Sequence, residues 1–144
     1  MKLITRNTDY AVRALCYIAK QKKGSVSAAE MVADLKIPRS FLRKILQVLS
    51  SEGLLNSQRG QGGGFSLIER PENIRLTELI RIFQGGIQLN ECIFKKKVCP
   101  NQRICPLKTE IDQIEQDAMK RLQKITLARL LKKGKSHDPR RNPV

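Results

Sequence analysis

The sequence predicts a mainly α-helical fold with one small β-hairpin, and three observations carry this. Apolar residues recur at helical spacing through most of the 144 residues. A capping signature and then a proline mark two consecutive helix starts, and a glycine run separates two short strand-like segments. The length suits one modest domain, or one domain plus an arm. With 40% apolar residues, no Trp, two Tyr and four Phe, the core has to be aliphatic. A unit this small often completes its burial by associating with a second copy.

The first helix is expected from Thr8 to about residue 21, with Tyr10, Ala11, Ala14, Leu15, Ile18 and Ala19 on its inner face. Thr8 has the chemistry of an N-cap, and Asp9 is favourable in the first turn. Ser27-Ala28-Ala29-Glu30 has capping-box spacing, which opens a second helix to about Leu35. After Lys36-Ile37-Pro38, proline suits the first turn of a third helix carrying Phe41, Leu42, Ile45, Leu46 and Leu49. Gly53 closes it as the C′ residue. Leu54 to Arg59 and Phe65 to Ile68 then read as paired strands around the tip Gly60-Gln61-Gly62-Gly63-Gly64. Two helices across a short turn, with a helix before them and a basic glycine-rich hairpin after, make a winged helix-turn-helix.

Thr77 is expected to cap a fourth helix with Leu79, Ile80, Ile82 and Phe83, closed by Gly85-Gly86. From Leu107 a long helix carries Leu107, Ile111, Ile114, Ala118, Leu122 and Ile125 as one narrow apolar seam among charges. Such a seam predicts a partner helix, hence a dimer. A short further helix over Thr126 to Leu131 precedes a basic tail expected to be disordered. The predicted organisation is a winged helix-turn-helix domain over 1–85, a cysteine loop over 86–106, a dimerisation helix over 107–131 and the tail over 132–144.

Charge narrows the function. Lys and Arg number 28 against 13 Asp and Glu, giving +15 and a pI near 10.2. A chain this basic attracts polyanions, nucleic acid first, with acidic membrane surfaces and ribosomal RNA behind it. Arg39, Ser40, Arg43 and Lys44 on the third helix are the expected major-groove and phosphate contacts, with Arg59 and Gln61 in the wing. The few aromatics argue against a single-stranded RNA platform. The glycines are not a phosphate loop, because neither Lys nor Ser/Thr follows them. Gly134-Lys135-Ser136 has the terminal residues of that motif, but Arg129 stands where its first glycine should be. No carboxylate cluster or nucleophile–base pair suggests an enzyme. The longest apolar run, Ala14 to Ala19, is far short of the roughly 20 residues that span a membrane. Asp9 and Arg13 also break any signal-peptide core, so a cytoplasmic protein is expected.

In that compartment thiols stay reduced, and cysteines point to metal or redox chemistry. Cys16 sits on the apolar face of the first helix and reads as core. Cys92, Cys99 and Cys105 instead share a loop in C-x6-C-x5-C spacing, near Lys95, Lys96, Lys97 and Arg103. That electropositive setting favours thiolates. Three of them can ligate a metal, and the spacing is looser than zinc knuckles, so iron–sulfur ligation is at least as well suited. The single His137 lies in the tail. A fourth ligand then comes from elsewhere in the dimer, a small molecule or solvent.

These residues resemble the Rrf family of bacterial regulators over about residues 1–131. The resemblance rests on Met1-Lys2-Leu3 leading into Thr8-Asp9-Tyr10-Ala11, and on Ile37-Pro38-Arg39-Ser40-Phe41-Leu42. Arg59-Gly60-Gln61-Gly62-Gly63-Gly64-Phe65 is the most specific stretch, followed by the three cysteines before a long helix. The resemblance implies a homodimer, the third helix in the major groove, the wing in the minor groove, and a cluster on the three cysteines. IscR-like members place a histidine three residues after the last cysteine, where this chain has Lys108. NsrR-like members use an aspartate near the start of the first helix, donated by the other subunit. Asp9 occupies that position, with Arg13 one turn on. Asp9 is equally explained as a helix-dipole residue paired with Arg13.

The expected function is a homodimeric repressor or dual regulator on a two-fold symmetric site in double-stranded DNA. Its affinity would be controlled by an iron–sulfur cluster, [4Fe-4S] first and [2Fe-2S] second, that senses nitric oxide, iron, oxygen or cluster status. The rivals are the same fold with zinc or thiol-redox switching, and a basic RNA-binding protein.

Overall fold

The aliphatic stripes read from the sequence converge on one core in the computed structural model, which describes residues 3–21, 24–87 and 104–134. These form α1 (Arg6–Lys20), α2 (Ala28–Leu35), α3 (Arg39–Ser51), β1 (Leu55–Gln58), β2 (Gly64–Leu67), α4 (Leu76–Gln84), α5 (Pro106–Gln123) and α6 (Leu127–Gly134). The fold is mainly helical, with one antiparallel hairpin among the described residues.

The cap of α1 is Thr5, not Thr8. The Thr8 backbone N–H donates to Thr5 Oγ1 at 3.4 Å. Thr8 is instead fully buried, and its hydroxyl donates to Gln84 Oε1 at 2.9 Å. Gln84 Oε1 also accepts from the Thr5 N–H at 3.0 Å. Its amide nitrogen donates to the carbonyls of Leu3 at 3.1 Å and Gly86 at 3.4 Å. One side chain at the end of α4 thereby fixes the start of α1, and this contact across the fold releases Thr8 from capping. Asp9 lies in the first turn of α1, where its charge suits the helix dipole.

Along α2 the capping box is complete, because Ser27 Oγ accepts from the Glu30 N–H and the Glu30 carboxylate accepts from the Ser27 N–H. The Tyr17 hydroxyl donates to Asp34, tying α1 to α2. That hydrogen bond, with burial and carboxylate charge adding to it, pushes the phenol up to about 12. The phenol therefore stays neutral, and the tether intact, throughout the neutral pH range. Pro38 is the N-cap of α3 rather than a residue of its first turn. Leu42, Ile45, Leu46 and Leu49 are buried as the periodicity predicts, but Phe41 is 45% exposed. It stands at the edge of the stripe in the first turn, where the helix leaves the core. Gly53, at φ 77°, ends α3 in the left-handed conformation.

The hairpin pairs Leu55 with Leu67, Asn56 with Ser66, Ser57 with Phe65 and Gln58 with Gly64. β1 is shorter at both ends than the Leu54 to Arg59 expected, and β2 keeps its four residues but starts one earlier, at Gly64. Phe65 also bridges to Val26, with backbone bonds of 2.8 and 2.9 Å, so the wing is anchored to the chain entering α2. Gly64 is required there. A Cβ on it would lie 2.5 Å from the Val26 carbonyl oxygen, so any side chain would lever the wing off its anchor.

For α4 the N-cap is Arg75, and Thr77 is already inside the helix. The chain after α5 explains why. The Leu76 N–H donates to the Ile125 carbonyl and the Leu127 N–H to the Ile74 carbonyl, both at 2.9 Å. One of the free backbone donors at the start of α4 is thus already satisfied by the chain that follows α5. Leu127 is buried and α6 packs on α1; α6 continues to Gly134, past the Leu131 limit expected. The seam of α5 is divided. Leu122 is buried with Ile80 and Ile87, whereas Leu107 is 67% and Ile114 56% exposed.

Candidate nucleic-acid interface and cysteine site

The buried stripe of α3 turns its opposite face to solvent, and Arg39, Ser40, Arg43 and Lys44 are all exposed on it. Arg39, Arg43 and Gln47 succeed one another at single-turn intervals and so form one row. Arg59 follows β1 directly, and Gln61 is exposed at the hairpin tip. The register of the hairpin brings the two elements together around a cleft of about 580 Å³. Arg39, Arg43, Gln47 and Ser50 line it from α3, Ser57 and Arg59 from the hairpin, with Ala28, Leu46 and Phe65 beside them. Ser40, Lys44 and Gln61 are outside it.

No Asp or Glu lines this cleft. Among the described residues, Arg39, Arg43 and Arg59 make no ion pair, unlike Arg13 with Asp9 or Arg81 with Glu52. Three unneutralised guanidiniums around one concavity make a strongly positive field, suited to a polyanion. Gln47, Ser50 and Ser57 were not identified from the sequence. The step from Arg39 to Arg43 extends to Gln47 at the same spacing and was a usable signal. Ser57 has none, because only strand pairing brings it beside α3.

Of the four cysteines, Cys16 is half-buried against the core. Burial pushes its thiol up, with Lys20 acting in the opposite direction, so it behaves as a small apolar residue. Cys105 is a free, partly exposed thiol at the N-cap of α5. Its carbonyl accepts from the Thr109 N–H at 3.2 Å and from the Thr109 hydroxyl at 3.3 Å, which fixes the residue to the helix start. Cys92 and Cys99 lie outside the described residues. Asp9 places Oδ2 2.9 Å from Arg13 Nε, a pair open to solvent. Lys108, where a histidine would stand in the IscR-like pattern, pairs with Asp112. Among the described residues no three His, Cys, Asp or Glu side chains converge.

The family model for Rrf2, described as an iron-dependent transcriptional regulator, matches residues 4–133. The chain belongs to the Rrf2 family. It is 31% identical over 134 residues to the HTH-type transcriptional regulator NsrR of Bacillus subtilis, covering 92% of this chain and 91% of that relative. In fold it is similar to CymR, the global cysteine regulator of B. subtilis. The TM-score is 0.76 at 24% identity, over 92% of this chain and 98% of CymR. T. potens IscR matches with a TM-score of 0.72 at 22% identity, over 100% of this chain and 93% of the other. This Rrf2 member is thus a winged-helix transcriptional regulator and not an enzyme. Among the described residues no helix is long and apolar enough to cross a membrane.

Proposed function

We propose that this Rrf2 regulator binds a two-fold symmetric site in double-stranded DNA as a homodimer, and that an iron–sulfur cluster sets its affinity. The observation that carries the DNA reading is the convergence of Arg39, Arg43 and Arg59, from recognition helix and wing, on one acid-free cleft. Arg39, Ser40, Arg43 and Lys44 bring the helix to the major groove and its bordering phosphates, and Arg59 and Gln61 hold the wing at the minor groove. The exposed half of the α5 seam at Leu107 and Ile114 supports the dimer.

Cys92, Cys99 and Cys105 are the proposed thiolate ligands, with Asp9 of the partner subunit as the fourth. Cys105 fits this role: it is free, partly exposed and fixed at a helix start, whereas Cys16 is committed to packing. Asp9 lies on the surface of α1, open to approach by a second chain. The cluster, [4Fe-4S] ahead of [2Fe-2S], supplies reactivity toward nitric oxide and oxygen and sensitivity to iron supply. The chain's part is to tie Cys105 to the start of the dimerisation helix and Asp9 to the helix that packs on α3. A change at the ligands is then felt in the spacing of the two reading heads.

DNA affinity of cluster-loaded and iron-stripped protein should differ by roughly 5- to 150-fold, the usual range of coupling between sites. Cys92→Ala, Cys99→Ala and Cys105→Ala should each bring that ratio close to one, while Cys16→Ala keeps it. Asp9→Ala should leave a cluster that forms but decays at a different rate in oxygen or nitric oxide. Anaerobic titration of a fluorescent duplex measures the ratio. A ratio that survives loss of all three loop cysteines would remove the sensing role. A ratio that follows thiol oxidation or zinc, without iron, would assign the cysteines to the rival switch.

A further inference from the structure

We propose that the cleft between α3 and the wing seats the sugar–phosphate strand dividing the major from the minor groove, with Ser50 and Gln47 binding its phosphate. The inference rests on the DNA-binding reading above. A helix in one groove and a wing in the next must straddle the strand between them, so whatever lies between the two elements faces backbone rather than base edges. In this protein that space is lined by the cationic residues Arg39, Arg43 and Arg59, the polar residues Gln47, Ser50 and Ser57, and the apolar Leu46 and Phe65. Guanidinium and hydroxyl groups suit a phosphodiester, and an apolar wall suits the face of a deoxyribose.

Ser50 gives the independent observation. Its hydroxyl is buried and has no hydrogen-bond partner among the described residues. A serine within a helix ordinarily bonds back to a carbonyl one turn earlier. Ser51 does so, donating to the Val48 carbonyl at 2.8 Å, and Ser50, its neighbour, does not. An unpartnered hydroxyl is costly to keep in the free protein, and its position in the cleft wall gives it a use once an acceptor arrives. Reaching a phosphate oxygen takes a change of χ1 rotamer that brings the hydroxyl out of its buried position. Gln47, on the row of Arg39 and Arg43, donates from the same wall. The recognition helix is thereby divided. The row facing the wing positions the backbone, and the exposed Ser40 and Lys44, outside the cleft, are left to read bases.

The test measures binding to a duplex of random sequence and to the tightest duplex that wild-type protein selects from a randomised pool. Ser50→Ala and Gln47→Ala should each weaken both duplexes by the same factor, about tenfold for the dimer. The salt dependence should not change, because no charge is lost. Ser50→Ala should melt at the wild-type temperature or above it, since it removes an unsatisfied buried polar atom. Ser40→Ala should instead alter the ratio between the two duplexes. Unchanged affinity of Ser50→Ala, affinity lost only together with thermal stability, or a loss confined to the selected duplex would each overturn the assignment. Wild-type protein that binds no duplex would overturn it along with the DNA-binding reading. Normal wild-type binding with an indifferent Ser50→Ala would remove the cleft assignment alone.

Discussion

Duplex DNA binding is expected to fall by about 10³-fold or more between roughly 50 and 200 mM salt. The expectation follows from three guanidiniums per protomer around one cleft, none neutralised by a carboxylate among the described residues. Each phosphate contact releases condensed counterions, and a dimer makes each contact twice. Arg59→Ala should weaken binding and flatten the slope of log affinity against log salt by about 0.9 for each contact removed, counted over both protomers. Arg59 makes no ion pair in the protein among the described residues, so folding stability should be unaffected. Fluorescence anisotropy over a salt series reads both effects. Salt-independent binding, or equal preference for single-stranded RNA, would contradict the DNA reading.

The second large effect is expected at the dimer seam. Ile114→Asp places a carboxylate in the middle of the α5 stripe, where a partner helix would bury it without a counter-charge, at a cost of several kcal/mol. Ile114 is 56% exposed in the protomer, so the substitution should leave the melting of an isolated protomer almost untouched. Light scattering should show monomers. DNA affinity should drop by a factor of roughly 10² or more, because two linked half-site contacts become separate events. A variant that remains dimeric would place the interface elsewhere. Leu122→Asp should behave differently, since Leu122 packs with Ile80 and Ile87 inside its own protomer; it should unfold the arm rather than merely separate the subunits.

The sequence was most legible where the signal is local. The capping box at Ser27 and Glu30, the stripe from Leu42 to Leu49 and the glycine tip of the wing each depend on a few neighbouring residues. It misled where a distant partner decides. Thr8 has good capping chemistry, but Gln84, 76 residues away, takes its hydroxyl and leaves the cap to Thr5. At α4 the helix start was likewise set from a distance, by the segment around Ile125, whose carbonyl accepts from the Leu76 N–H. Phe41 matched the apolar spacing yet stands at the stripe's edge, because periodicity identifies a face without saying how far the core beneath it reaches.

The candidate DNA contacts were legible for a similar reason. Charge at the start of a recognition helix and beside glycines in a hairpin can be read one residue at a time. The cleft was not legible, because Ser57 and Ser50 come to line it together only through the placing of β1 beside α3. The cysteine site divides along another line. Cys105 and Asp9 are placed by α5 and α1, but the proposed ligand set draws on two chains, and no single sequence position encodes such an arrangement.

The cluster itself is tested most directly by purifying the full chain without oxygen and measuring visible absorbance, iron, acid-labile sulfide and zinc on the same sample. The account predicts brown protein with iron and sulfide in equal amounts, about four of each per protomer for [4Fe-4S] or about two for [2Fe-2S]. The colour should be lost from each of the Cys92→Ala, Cys99→Ala and Cys105→Ala variants. Colourless protein that carries zinc, or no metal at all, and still binds its DNA site in response to thiol oxidation would contradict it.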